Sequence, residues 1–78
     1  MTDTVNHNAV ILRTTFKAVL LEWQDDEDVS KYCTIWVPRS VIEGGADLKE
    51  NEDQSLTLKI KEWWWINHKD DVNRSSNA

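Results

Sequence analysis

The sequence predicts a mainly β fold with minor α: a small bent antiparallel sheet, or an SH3- or OB-like partial barrel, of 3–4 strands. Three observations carry that expectation. Apolar and polar residues alternate with period two in segments rich in β-branched and aromatic side chains, the signature of half-buried strands. Clusters of Asp, Glu, Ser and Gly, with a single Pro, separate those segments. Five tryptophans in 78 residues supply apolar area to a core that has no other evident support.

The first strand is expected in 9–23, AVILRTTFKAVLLEW, with Leu12, Thr14, Phe16 and Ala18 on one face and Arg13, Thr15 and Lys17 on the other. Fifteen residues exceed an ordinary strand, so a bend, a bulge or a change of sheet is expected near Ala18. Residues 16–23 also tolerate a helix, which is the competing reading there. Residues 24–30, with Asp25, Asp26, Glu27 and Asp28, read as a solvated hairpin loop. Calcium is the alternative use of such oxygens, but the EF-hand pattern needs a glycine at its sixth position and a distant glutamate, and both are missing.

Residues 31–37 form the second strand, Tyr32, Thr34 and Trp36 opposing Cys33, Ile35 and Val37; both faces are largely apolar, as in a central strand. Pro38 ends it, lacking a ladder donor. Ser40 and Glu43 have the spacing of a capping box, and Gly44 and Gly45 stop the helix at once, which leaves one helical turn near 40–43. After an acidic loop, 46–54, the stretch 55–62 alternates cleanly, with Leu56, Leu58 and Ile60 inward and Thr57, Lys59 and Lys61 outward. Beyond Glu62 the period is ambiguous. Trp63 and Ile66 share a face at i, i+3 if a short C-terminal helix forms, and a continued strand is the other reading. The termini, 1–8 and 70–78, are polar and expected to be disordered, which leaves 9–69 as one β-rich domain.

A core of about sixty residues is marginal. Cys33 has no disulfide partner and is expected to be a small buried hydrophobe. His7 and His68 lack zinc-ligand spacing, so no metal or cofactor is expected. A secretory leader and a membrane-length apolar run are both lacking, which predicts a soluble cytoplasmic protein. The net charge of −5 disfavours nucleic acid and favours a basic protein surface.

Trp36-Val37-Pro38-Arg39-Ser40, followed by Leu58-Lys59-Ile60-Lys61-Glu62-Trp63, resembles a loose group of short proteins encoded by phages, prophages and plasmids. These carry a Trp-(Ile/Val)-Pro-(Lys/Arg)-Ser segment, an acidic loop and an alternating strand ending Glu-Trp. The resemblance spans about 18–69 and implies a mobile-element origin. It also implies action by binding, to nucleic acid in replication or recombination or to host proteins that are blocked or redirected. Trp64, Trp65 and the apolar first strand depart from the pattern.

Catalysis is not expected. Ser40 has no neighbouring histidine in sequence, Cys33 sits in mid-strand, and so small a core is expected to leave no pocket of several hundred Å³. The expected function is protein–protein binding to a host factor, with inhibition of a defence or nucleic-acid-handling complex as its form. Arg39, Trp64 and Trp65 are the expected contacts, because Trp and Arg dominate interface energetics, and Asp25, Asp26 and Asp28 would steer a basic partner. Trp36 and Trp63 are assigned to the core. A spare indole also allows a homodimer. The alternative is a single-stranded nucleic-acid module using Arg13, Lys17, Lys59 and Lys61 as one cationic face.

Overall fold

The computed structural model describes residues 3–76, with side chains through Asn73. The fold is mainly β. Strands β1 (Thr4–Thr14), β2 (Ala18–Gln24), β3 (Lys31–Pro38) and β4 (Asn51–Lys61) form an antiparallel sheet in the order β4-β1-β2-β3, and the short β5 (Asn73–Ser76) extends it beside β3. The sheet is open, β4 and β5 being its two edges, so no barrel closes.

The long apolar segment divides at a turn. Thr15 closes it: its amide donates to the Ala18 carbonyl (2.8 Å), and its hydroxyl accepts from the Ala18 amide (3.0 Å). Beyond the turn the chain continues as strand, so the helical reading of 16–23 does not hold. Phe16, expected to share a strand face with Leu12, instead stands at the turn, 93% exposed. β1 also begins earlier than expected. Thr4 to Ala9 pair with Lys61 to Leu56, so 4–8, expected to be disordered, lies in the sheet. The pairing is long-range: a polar strand end becomes ordered because β4 offers it a ladder. Asn73–Ser76, expected in a disordered tail, pairs with β3 in the same way. The expectation for 1–2 and 77–78 falls outside the described residues.

Register decides which residues meet the core. Val5, His7, Ala9 and Ile11 face inward on β1, and a bulge at Leu12 shifts the later residues. Against β4 the shift is larger: Ala9 pairs with Leu56 but Ile11 with Asn51. Residues 52–55 therefore leave the ladder, and these four are polar and exposed. Val19 and Leu21 of β2, Cys33, Ile35 and Val37 of β3, and Leu58 and Ile60 of β4 complete the buried face. Fully burying such a side chain is worth roughly 1.5–3 kcal/mol, so this one face supplies most of the stability.

Two segments cover that face. After β3 the chain passes through short 3-10 turns at Arg39–Val41 and Gly45–Asp47 and crosses the sheet to β4, burying Val41 and Ile42. Ile42 makes a bridge to Ile60, and the Glu43 amide donates to the Lys59 carbonyl (2.9 Å). The helical turn expected near 40–43 is thus present but shorter, and no side-chain cap closes it: Glu43 is committed to the β4 edge. After β4, helix α1 (Glu62–His68) crosses back and buries Trp64. Of the two readings beyond Glu62, the helix is the one that forms.

Arg39 holds the first crossing in place. Its Nη1 donates to the carbonyls of Gly45 and Leu48 (2.8 Å each) and, at 3.5 Å, to Ala46, while Nε donates to the Thr15 carbonyl (3.0 Å). The side chain thereby ties the β1–β2 turn to the crossing. A Cβ on Gly45 would fall on the Arg39 carbonyl oxygen, so the backbone packs too closely there for any larger residue. Hydrogen bonds from a charged donor are worth about 1.5–3 kcal/mol each when buried, and less here because the site is half-exposed. Arg39→Ala is expected to cost about 2 kcal/mol in denaturant-unfolding free energy, and Arg39→Lys to recover less than half, because an ammonium cannot reproduce the fork. An unchanged unfolding midpoint for Arg39→Ala would refute the latch.

Candidate functional site

The two crossings leave the end of the sheet near the β2–β3 loop uncovered, and there three rings meet. His7 on β1 lies between Trp23 on β2 and Trp65 on α1, with ring-centroid distances of 4.2 Å to Trp23, edge to face, and 4.7 Å to Trp65. The two indoles are 6.1 Å apart and inclined at 55°, a V with the imidazole in its corner. Strand parity places His7 and Trp23 on the inner face, and the helical phase of α1 turns Trp65 toward them while Trp64 enters the core. Trp64 is held from its other side by His68, stacked at 4.4 Å with its Nδ1 2.8 Å from the Trp64 carbonyl oxygen.

Clefts open on both sides of these rings. One of about 380 Å³ lies between the β2–β3 loop and the segment after α1, walled by His7, Trp23 and Trp65. A second, of about 610 Å³, runs past Val10, Glu22 and Tyr32 under the displaced residues Glu52 and Ser55. His7, Trp23 and Asp26 line both. A third cleft of about 430 Å³ lies beside Phe16 and Arg39. The expectation that so small a core leaves no space of several hundred Å³ is therefore corrected. The space forms outside the core, between the sheet end and its loops.

The acidic loop shapes itself before it can face a partner. Asp28 Oδ1 accepts from the Ser30 hydroxyl (2.6 Å) and amide (3.0 Å), and Lys31 Nζ stands 4.0 Å from Oδ2. Those bonds, the Ser30 hydroxyl first, hold the Asp28 carboxyl below its usual range. Asp25 accepts from the Glu27 amide (2.9 Å) and lies 3.9 Å from the Cys33 sulfur. Asp26, by contrast, is exposed on the cleft rims. Cys33 is buried, as expected for a small hydrophobe. Among the described residues no group of three or more His, Cys, Asp or Glu is arranged to hold a metal ion, and no helix is long and apolar enough to cross a membrane.

The expected contact residues are redistributed. Trp64 is 7% exposed and belongs to the core, Trp65 is half-buried against His7, and Arg39 is the internal latch. Trp36 and Trp63, assigned to the core, are instead 44% and 54% exposed. Trp36 lies on the outer sheet face opposite Leu20, and Trp63 with Ile66 forms the solvent side of α1. The helix starting at Glu62 sets this phase: Trp64 points into the core, Trp65 lies half-buried at its margin, and Trp63 turns to solvent. From sequence, His7 is weighed only as a metal ligand and Trp23 is given no site role, although Val5-x-His7-x-Ala9-x-Ile11 carries the strand parity on which His7 sits.

The four cations are not gathered. Lys61 and Lys59 face Thr4 and Asn6 of β1, whereas Arg13 faces Leu20 beyond the bulge and Lys17 lies in the turn. Asn6 and Arg13 are about 20 Å apart along the strand. No protein-family model matches this chain, and neither a curated protein nor a solved structure does.

His7 Nε2 is buried without a hydrogen-bond partner. Burial lowers the His7 pKa below the ordinary 6.5, against the weaker attraction of Asp26 for the proton. The unfolded chain then binds the proton more readily than the folded one, so stability is full above pH 6.5 and declines as pH falls through 6.5 toward the lowered value. His7→Phe keeps the ring contacts and removes the unpaired nitrogen. It is expected to raise stability at neutral pH by up to about 1 kcal/mol and to flatten the decline between about pH 7 and 5.5. Thermal midpoints across that range check this, and a decline of the same slope in the variant would contradict it.

Proposed function

We propose that this domain is a non-catalytic protein-binding module, a phage-type accessory protein that engages a protein of its host, inhibition of a defence or nucleic-acid-handling complex being the outcome. The observation that carries this reading is the exposure of large apolar side chains: Phe16 at 93%, Trp63 and Ile66 at 54% each, and Trp36 at 44%. Scattered exposed leucines are ordinary, but aromatic rings in solvent are the residue types that dominate interfaces. The net charge of −5 and the acidic loop favour a basic partner. The resemblance to small proteins of mobile elements agrees with action by contact.

One feature favours the single-stranded nucleic-acid alternative: Arg13, Leu20 and Trp36 lie in one cross-strand row, a cation two strands from an exposed indole with Leu20 between them. The separation of Lys59 and Lys61 from that row, and the overall charge, weigh against it.

The two readings part in a paired experiment. Immobilised wild type, Phe16→Ser and Trp36→Ser are compared for proteins retained from host extract, and the same chains are titrated with oligonucleotides at low and high salt. The expected outcome is a discrete protein retained by wild type and lost from both variants, with no tryptophan quenching by oligonucleotide. Equal retention by all three, or tight salt-sensitive quenching, would overturn the proposal. Light scattering of the same samples shows whether the protein retained is a second copy of this chain.

A further inference from the structure

We infer that the 380 Å³ cleft walled by Trp23, Trp65 and His7 accepts an arginine side chain of a basic partner. This deepens the protein-binding reading by naming the chemistry recognised, and it rests on that reading for the source of the arginine.

Three features of the cleft select the ligand. The first is its wall: two half-buried indoles, inclined at 55° to one another, both line the open cleft. An indole face attracts a cation through its quadrupole, by about 0.5–1 kcal/mol where exposed and more where desolvated. The second is its rim. The carboxylates of Asp25, Asp26, Glu27 and Asp70 line the cleft against the single ammonium of Lys69, an excess of negative charge complementary to a cation. The third is its corner, where His7 is uncharged at neutral pH because burial disfavours the imidazolium, so the wall carries no positive charge to repel a ligand.

Arginine fits this combination better than lysine or a metal ion. A planar guanidinium is weakly hydrated, stacks on an aromatic face and presents a fork of donors to a carboxylate in the same pose. A lysine ammonium is a compact, strongly hydrated charge that gains less from an indole wall. A hard cation needs several converging oxygens, which the described residues do not gather, and the indoles supply none.

The test uses the full chain and two capped tripeptides, Gly-Arg-Gly and Gly-Lys-Gly, at low ionic strength. The indole N–H resonances of the five tryptophans are followed as each peptide is raised into the millimolar range. The expected result is a saturable shift confined to Trp23 and Trp65 with the arginine peptide, at least about threefold weaker with the lysine peptide. Asp26→Asn, on an exposed carboxylate, is expected to weaken binding by roughly threefold with the unliganded spectrum otherwise unchanged. No saturable shift, equal response to both peptides, shifts spread over all five indoles, or an unaffected Asp26→Asn affinity would each overturn the inference. If the peptide fails while Phe16 and Trp36 still govern partner retention, only the arginine site falls. If the peptide binds while no partner is retained, the site stands and the protein-binding reading falls.

Discussion

A single antiparallel sheet is stable in water only when one of its faces is covered, and here the cover comes from two segments that cross the sheet in opposite directions. The first leaves β3 and reaches β4 on the far side, burying Val41 and Ile42 and bridging Ile42 to Ile60 of β4. The second leaves β4 and returns toward β5, setting Trp64 onto the same apolar layer. The largest fully buried side chains among the described residues, Ile11, Leu21, Ile60, Val19 and Val37, lie on that covered face. Neither crossing is long enough to nucleate structure of its own, so each depends on a specific anchor: the Arg39 fork for one, the Trp64 indole for the other.

This one-sided cover explains how the aromatic residues are shared out. Trp64 goes into the core, while Trp23 and Trp65 close over His7 at the uncovered end of the sheet. Trp36 is left on the outer face and Trp63 on the solvent side of α1. The same incompleteness gives the molecule its clefts, which lie where the crossings stop rather than inside the core. The surfaces available for recognition are therefore by-products of how the core is closed. The acidic residues follow the same logic. Asp28 and Asp25 serve their own loop first, and Asp26 is left facing the rim.

Much of the sheet was legible in the sequence because a half-buried strand writes its faces directly as period two. Cys33, Ile35 and Val37 against Tyr32, Thr34 and Trp36, and Leu56, Leu58 and Ile60 against Thr57, Lys59 and Lys61, were assigned to faces from alternation alone. What alternation does not encode is partnership. Residues 4–8 are too polar to announce a strand, and they become one because β4 pairs with them from about fifty positions away. Arg39 reads as an exposed cation until the carbonyls of Thr15, Gly45 and Leu48 converge on it from two other segments. The roles of Trp63, Trp64 and Trp65 depend on one choice the sequence leaves open, helix or strand after Glu62, and the faces of β1 depend on the bulge at Leu12, which resets its parity. The candidate site was less legible still, since its three rings come from β1, β2 and α1.

The central claim, that the two crossings cover one face and leave the other open, is tested most directly by the solvent exposure of each indole. With the five indole N–H signals assigned, a soluble paramagnetic agent is added and the broadening of each is measured. The account predicts that Trp64 resists broadening, that Trp36 and Trp63 broaden strongly, and that Trp23 and Trp65 fall between. A broadened Trp64 together with a protected Trp36 would contradict it, because the covered face would then be the opposite one.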